Sequence, residues 1–122
     1  MVAEWVPCGN GFIEADVIRW SEGVWQEPQH SWNRAVHIGD RVVIAEVLRD
    51  HGEWVKLLVR DCIVTSETTG HHVAPLAKNA AVRRTRETIV KGNPERLLWS
   101  DESARAFLVS RFLRPDNPSA SD

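Results

Sequence analysis

The chain has 122 residues, a length that suits one domain with a single core. Hydrophobic residues make up 43%, charged residues make up 26% and the net charge is −2, which excludes a disordered chain and a histone-like cationic protein. No apolar run approaches the ~20 residues of a membrane span, and the first twenty residues lack the basic start of a signal peptide. We therefore expect a cytoplasmic protein that makes no membrane contact.

The first half of the chain has the composition of β-strands. Residues 12–20 mix apolar and charged side chains in an imperfect alternation, which predicts one strand. Residues 21–23 read Ser-Glu-Gly and are predicted as a tight turn, across which 24–26 pair back. Residues 2–6 are predicted to add an edge strand that ends at Pro7.

The clearest pattern is a long β-hairpin. Residues 38–40 are predicted as a turn, and 41–49 are rich in Val, Ile and Leu. The connection at 50–53 contains Gly52, which can take a positive φ, and 54–64 form the return strand. In that strand Val55, Leu57, Val59 and Ile63 share a predicted core face, while Trp54, Lys56, Leu58 and Arg60 share a mixed face.

The segment from 65 to 92 is harder to interpret. Residues 65–72 are polar and predict a long loop. Pro75 and Gly92 suit the two ends of a helix, whereas the β-branched residues of the second half favour a strand. We predict a loop or short helical turn to residue 81 and a strand over 82–91, with a helix as the open alternative.

A helix is predicted over residues 101–113. Ser100 suits the N-cap, and acidic residues occupy the first turn, where they oppose the helix dipole. An apolar stripe at helical spacing predicts packing against the core, and it consists of Ala104, Phe107, Leu108, Val109 and Phe112. Pro115 ends the helix, and 115–122 are predicted to form a frayed tail.

Together these elements predict a mainly β fold. Four to six short antiparallel strands and one C-terminal helix are typical of a small barrel or roll, of which Src-homology-3-like and OB-like folds are the nearest types. Residues 1–114 are predicted to form this single domain. The exposed edges of such a fold leave homodimer formation open.

The charge is unevenly distributed. Residues 78–96 carry six basic and two acidic residues, a local net charge of +4 in an otherwise acidic chain. The candidate contact residues of this segment are Arg83, Arg84, Arg86 and Lys91. Their side chains could bind phosphates or the carboxylates of a protein partner, or they could form an ordinary solvated or internally paired surface. In a strand, Arg84 and Arg86 would share one face and Arg83 would lie on the other.

Tryptophan is unusually frequent, with six residues and no tyrosine. Trp25 and Trp32 flank a polar, turn-like stretch at 27–30. Both could fold back onto the core, which is the commoner outcome for a loop tryptophan. If one or both are exposed, they are candidate anchors for a binding partner.

No catalytic or cofactor motif stands out. Two cysteines, Cys8 and Cys62, are too few for a disulfide framework and are predicted to be reduced thiols. The histidines match no zinc-ligand spacing, so no metal and no cofactor are predicted. A small nuclease that uses a histidine or carboxylate is the least favoured alternative, and we expect a non-enzymatic protein.

One stretch of sequence carries a family resemblance. The run RRTRETIVKGNPERLLWSDESARA, residues 83–106, resembles a stretch in small uncharacterised accessory proteins of proteobacterial plasmids and integrative elements. It covers about a fifth of the chain and contains no catalytic motif. The resemblance implies an accessory role in a mobile element, in which DNA is regulated, protected or maintained, or its transfer is modulated.

Two binding functions follow from these patterns. The first is a nucleic-acid-binding module in which the four basic residues neutralise phosphates and Trp25 or Trp32 stacks on bases. The second is a protein-interaction or inhibitor module in which an exposed tryptophan anchors the contact and the arginines surround it. The basic segment favours nucleic acid slightly.

Overall fold

The computed structural model describes residues 3–28, 32 and 34–112. Along these residues it has six β-strands and two α-helices. In chain order they are β1 (Trp5–Pro7), β2 (Val17–Gln26), β3 (Val36–Asp50), β4 (Trp54–Glu67), β5 (Ala81–Thr85), α1 (Arg86–Lys91), β6 (Glu95–Leu97) and α2 (Glu102–Phe112). No helix in this part of the chain is long and apolar enough to cross a membrane.

The strands form one antiparallel sheet in the order β1-β6-β2-β3-β4-β5. The prediction of a mainly β fold with antiparallel strands and a C-terminal helix is confirmed. Among the described strands, β1 and β5 form the two edges and do not pair with each other. The sheet is therefore open, and the pairing of its strands does not close it into the expected barrel.

The core lies on one face of the sheet and is covered by the segment before β2 and by α1. Phe12 precedes β2 and Ile89 belongs to α1, and both are buried. The strands add eight buried residues to the same cluster, namely Ile18, Trp20, Val43, Ala45, Val47, Val55, Leu57 and Val59. Three of the four residues predicted for the core face of β4 are thus confirmed.

Two predicted turns are instead parts of strands. Residues 21–23 continue β2, which pairs with β3 from Val17 to Gln26. Residues 38–40 lie inside β3, where a Cβ on Gly39 would overlap the carbonyl oxygen of Ser66. This glycine permits a close approach of two backbones and does not mark a turn. Both turn predictions were wrong because cross-strand packing overrode local turn preference.

Ile63 is half exposed, so its predicted place in the core was wrong. Ala45 pairs with Val59 and Ile44 pairs with Asp61, which leaves Arg60 as an extra residue in β4. A β-bulge of this kind reverses which side chains face inward. Cys62 consequently packs against the core in place of Ile63.

The sequence left a strand and a helix open for residues 82–91, and the structure contains both. The strand ends at Thr85, and the helix α1 replaces the second half of the predicted strand. The Thr85 side chain caps α1 by accepting a hydrogen bond from the Thr88 N–H at 3.2 Å. Burial of Ile89 stabilises this helix despite its β-branched residues. Before it, the polar loop predicted at 65–72 begins later, because β4 extends to Glu67.

The helix α2 forms where predicted, but its contacts differ from the prediction. Asp101, not Ser100, caps it by accepting a hydrogen bond from the Ala104 N–H at 3.2 Å. Phe107 is 61% exposed, so the predicted apolar stripe does not pack as a unit, and the buried residue of α2 is Arg105. The predicted tail at 115–122 lies outside the described residues.

A buried carboxylate holds α2 to the rest of the fold. Asp16 is fully buried and accepts hydrogen bonds from Arg105 Nε at 2.9 Å and Arg105 Nη2 at 2.7 Å. The indole N–H of Trp99 and the backbone N–H of Ile13 donate to the same carboxylate at 2.7 and 2.9 Å. Its hydrogen-bonding capacity is used internally, so Asp16 has a structural role.

Candidate functional site

The four candidate basic residues of segment 78–96 point in different directions. Arg83 and Arg84 are neighbours in β5, and their side chains lie on opposite faces of the strand. Arg83 is exposed, whereas Arg84 is partly buried. Arg86 and Lys91 lie at the two ends of α1. The expectation that Arg84 and Arg86 share a strand face was wrong, because the strand ends at Thr85.

Arg86 is occupied by contacts within the protein. Its guanidinium forms an ion pair with Asp50 and donates hydrogen bonds to the carbonyl oxygens of Gly52 and Asn10, both at 3.1 Å. It also lies over the ring of Phe12, with Cζ 4.2 Å from the ring centroid. Arg86 therefore joins the β3–β4 hairpin to the segment before β2.

Arg84 is likewise paired internally. Its Nε and Nη2 donate to the two oxygens of Glu22 at 2.9 and 3.0 Å. This ion pair raises the pKa of Arg84, so the guanidinium stays charged. Arg41 binds the same carboxylate through Nε at 3.0 Å. One carboxylate thus holds two guanidinium groups beside β2.

Both tryptophans singled out by the sequence are exposed, Trp25 by 59% and Trp32 by 78%. Trp25 lies near the end of β2, where a groove brings it together with Arg84 and Lys91. Trp32 does not line this groove. The structure thus gathers three of the six candidate residues at one place and leaves Arg83, Arg86 and Trp32 elsewhere.

Arg83 belongs to a row of cations that sequence reasoning missed. It pairs across the sheet with Lys56 of β4, and Lys56 pairs with Arg49 of β3. Directly opposite residues project to the same face, so these three exposed side chains stand side by side on the outer face of the sheet. We call Arg49, Lys56 and Arg83 the cation row.

The cation row is not neutralised. Among the described residues, no carboxylate oxygen lies within 4.0 Å of the nitrogen atoms of these three side chains. Like charges placed directly opposite each other in a sheet are destabilising. We therefore expect the row to decrease stability through repulsion, whereas Arg84 and Arg86 each bind a carboxylate.

An aromatic stack adjoins the cation row. Cζ of Arg83 lies 3.9 Å from the ring centroid of Trp54, and the ring of His51 stacks on the same indole at 3.8 Å and 18°. Two groups at these distances must occupy opposite faces of the indole. The stack fixes Arg83 in place and leaves the imidazole of His51 at the outer end, on an exposed residue.

The row spans a length that suits a polyanion. Neighbouring strands lie about 4.8 Å apart, so three of them set the outer cations about 10 Å apart. A nucleic-acid strand carries one negative charge per nucleotide, so a strand that crosses the row presents successive charges to its cations. The three basic residues of the row are visible in the sequence, but only the register of the strands shows that they lie side by side.

The other chemical possibilities find less support in the geometry. Among residues 3–28, 32 and 34–112, no group of three His, Cys, Asp or Glu side chains could hold a metal ion. Cys8 and Cys62 are free thiols, and burial raises the pKa of Cys8 to about 11, with a further contribution from Asp16. At neutral pH Cys8 is thus a protonated and weak nucleophile.

Comparison with known proteins adds no family: no family model, no curated protein and no solved structure matches this chain.

Proposed function

We propose that the protein is a non-enzymatic binding module that holds a nucleic-acid strand on the outer face of its sheet. The cation row carries this proposal. Three cations on adjacent strands, without a carboxylate partner among the described residues, repel one another, and an anionic strand laid across them would offset that repulsion. Positive side chains beside an aromatic stack are the combination that single-stranded nucleic acids bind.

The charge of the whole chain limits the expected affinity. With a net charge of −2, the protein does not attract a polyanion from a distance, so binding depends on local contacts. We expect dissociation constants in the range of non-specific binding, about 10⁻⁴ to 10⁻⁶ M at physiological salt. The proposed contact residues are Arg49, Lys56, Arg83 and His51, and Trp54 supports the last two between its two faces.

Charge reversal in the row tests the proposal. We expect Arg83→Glu and Lys56→Glu each to weaken binding of a labelled 12-nucleotide DNA strand by about tenfold in fluorescence anisotropy, because a phosphate contact is lost and a repulsion is gained. Arg34→Glu is the matched control, since Arg34 is exposed and precedes the start of β3. Equal binding by all three variants would refute the assignment of the site.

A protein partner is the second candidate function. Its support is three exposed apolar residues: Trp25 near the end of β2, Val36 at the start of β3 and Trp32 between them in the chain. Exposed tryptophans often anchor protein interfaces. This function predicts that a pull-down from the native host captures a specific partner and that the Trp32→Ala variant no longer captures it. Sedimentation of the purified protein shows whether this partner is a second copy of the chain.

Three further features belong to the same proposal. The fold is proposed as a barrel-like roll, because the Ser21 N–H donates to the Gly92 carbonyl at 3.1 Å and joins α1 to β2. A cytoplasmic location and an accessory role in a mobile element are proposed from the sequence alone. A nuclease activity would overturn the non-enzymatic reading, and incubation of the protein with DNA and RNA in the presence of Mg²⁺ tests for it.

A further inference from the structure

The groove beside Trp25 is a second candidate site, separate from the cation row. It is open, has a volume of about 600 Å³ and lies between β2 and α1. Trp25, Arg84 and Lys91 are among the residues that line it. Because Arg84 and Arg83 lie on opposite faces of β5, this groove does not share the cations of the row.

The aromatic side of the groove is held in place without a ligand. A Cβ on Gly23 would lie 3.2 Å from the indole Nε1 of Trp25, so the ring rests against this glycine. The imidazole of His37 supports the indole at a centroid distance of 5.1 Å. His37 Nε2 is in turn 3.0 Å from Oδ1 of Asp40. The indole therefore offers a positioned surface of which more than half is exposed.

The cationic side is also held in place. Glu22 has a side chain that is 7% exposed, and it binds Arg84, Arg41 and the indole N–H of Trp20. Burial alone would raise the pKa of Glu22, but the hydrogen bonds and charges of its partners outweigh burial and keep the pKa below its usual range. One carboxylate between two guanidinium groups leaves a net positive charge.

Arg84 retains donors for a ligand. Its Nε and Nη2 bind Glu22, and Nη1 binds the carbonyl of Arg83, which uses three of its five N–H groups. Lys91 adds an ammonium group whose ion pair with Glu87, at 3.4 Å, is exposed to solvent. Such an exposed pair is weak and exchanges readily for another anion.

The backbone brings α1 against β2 and so completes the groove. The carbonyl of Gly92 accepts a hydrogen bond from the Ser21 N–H, and a Cβ at Gly92 would overlap the carbonyl oxygen of Ser21. Only glycine permits this approach. It places Lys91, the last residue of α1, at the same groove as residues 21–25 of β2.

We propose that this groove binds a nucleoside monophosphate unit. The base stacks on Trp25, and the phosphate accepts hydrogen bonds from Lys91 and Arg84. A ligand with one aromatic ring and one nearby anion matches a groove that is lined by a supported indole, a paired guanidinium and an exposed ammonium group. The unit is either a free nucleotide or one nucleotide of a strand, and both carry the same chemistry.

Calorimetric titration with three small probes tests the pairing of ring and phosphate. We expect adenosine 5′-monophosphate to bind at least about tenfold more tightly than adenosine or ribose 5-phosphate, because each of these lacks one of the two contacts. A 5′-phosphorylated trinucleotide is the fourth probe. If the monophosphate binds and this binding depends on Trp25, a free nucleotide is sufficient as the ligand. If only the trinucleotide binds in a Trp25-dependent way, the bound unit is one nucleotide of a strand.

Variants decide whether the groove is responsible. We expect Trp25→Leu to weaken binding at least about tenfold and Lys91→Gln to weaken it several-fold. Trp32→Leu is the matched control, since Trp32 is exposed and lies outside the groove. Absence of binding by every probe, or binding that Trp25→Leu leaves unchanged, would overturn the proposal.

The result is separable from the proposed function. Arg83→Glu alters the cation row and leaves the groove intact, so we expect unchanged binding of the monophosphate by this variant. If the groove variants bind normally while the row variants lose the 12-nucleotide strand, the groove proposal fails and the function stands. If the row variants bind the 12-nucleotide strand normally while the groove variants lose the monophosphate, the proposed function fails and the groove proposal stands.

Discussion

Individual residues of like charge have opposite roles in this protein. Arg84, Arg86 and Arg105 each bind a carboxylate and tie remote segments together. Arg49, Lys56 and Arg83 bind none among the described residues and face one another across three strands. We expect loss of a carboxylate partner in the first group to destabilise the protein, and we expect repulsion within the second group to decrease stability in the absence of a ligand.

Lys56 provides the clearest test of this cost. It stands directly between Arg49 and Arg83, so we expect Lys56→Thr to stabilise the protein by about 0.5–1 kcal/mol through the loss of two repulsive cross-strand pairs. Urea unfolding measures the difference. Lys78→Thr, at an exposed position outside the strands, is the control and should change stability much less. A decrease in stability for Lys56→Thr would mean that the row is not under repulsion.

Asp16 is predicted to be the polar residue on which stability depends most. Its side chain is fully buried, and that of Arg105 is 9% exposed. We expect Asp16→Asn to destabilise the protein by about 3–5 kcal/mol, because the charge of Arg105 remains buried without its partner. Urea unfolding checks this value.

The control for Asp16 is an exposed pair of the same kind. Glu95 binds Arg19 at 2.7 Å, but both side chains are more than a third exposed. Glu95→Gln should therefore cost less than about 1 kcal/mol. A similar small cost for Asp16→Asn would contradict the structural role of the buried pair.

At the scale of elements, α2 is held by polar contacts at its first turns. Glu102 binds Arg96 of β6 through both oxygens, at 2.8 and 2.9 Å, and accepts the backbone N–H of Trp99 at 2.8 Å. These hydrogen bonds, with that of Arg96 first, lower the pKa of Glu102 from 4.5 to about 2. Arg105 supplies the second attachment, one turn further along the helix.

The low pKa of Glu102 predicts an acid dependence of stability. A carboxylate whose pKa is lower in the folded protein stabilises the fold above its unfolded pKa, here 4.5, and loses this effect as the pH falls through about 2. Glu102→Gln should therefore be less stable than wild type at pH 7, and the difference should shrink towards pH 2. Thermal unfolding across this range measures it, and a difference that stays constant with pH would contradict the prediction.

Local sequence patterns predicted the strands and helices themselves better than they predicted the contacts between them. The hairpin at 50–53 is confirmed. Gly52 takes a φ of 87°, and a Cβ there would meet no described atom within 4 Å, so local turn preference decided its conformation. Gly23 and Gly39 looked similar in the sequence, but each lies inside a strand against a group from another strand. The apolar residues of α2 likewise predicted packing against the core, but the helix is held by the hydrogen bonds of its buried residue Arg105 to Asp16. Tertiary contacts, which no local pattern encodes, decided these cases.

At the scale of the whole molecule, the sheet determines which charges meet. The sequence placed the basic residues in one segment, and the fold divides that segment between an outer face, a groove and two internal ion pairs. Arg49 and Lys56 lie 34 and 27 residues before Arg83, so their alignment depends on the register of three strands. A list of basic residues could not reveal this site without that register.

The salt dependence of strand binding tests the central claim most directly, because it counts the phosphates that the protein neutralises. With three cations in the row, we predict that log Kobs falls against log salt with a slope of about −2 for single-stranded DNA, or roughly 20-fold between 50 and 200 mM. Lys56→Gln should make this slope shallower by about 0.7, whereas Arg34→Gln should leave it unchanged. A slope near zero, or one that Lys56→Gln does not alter, would contradict the account.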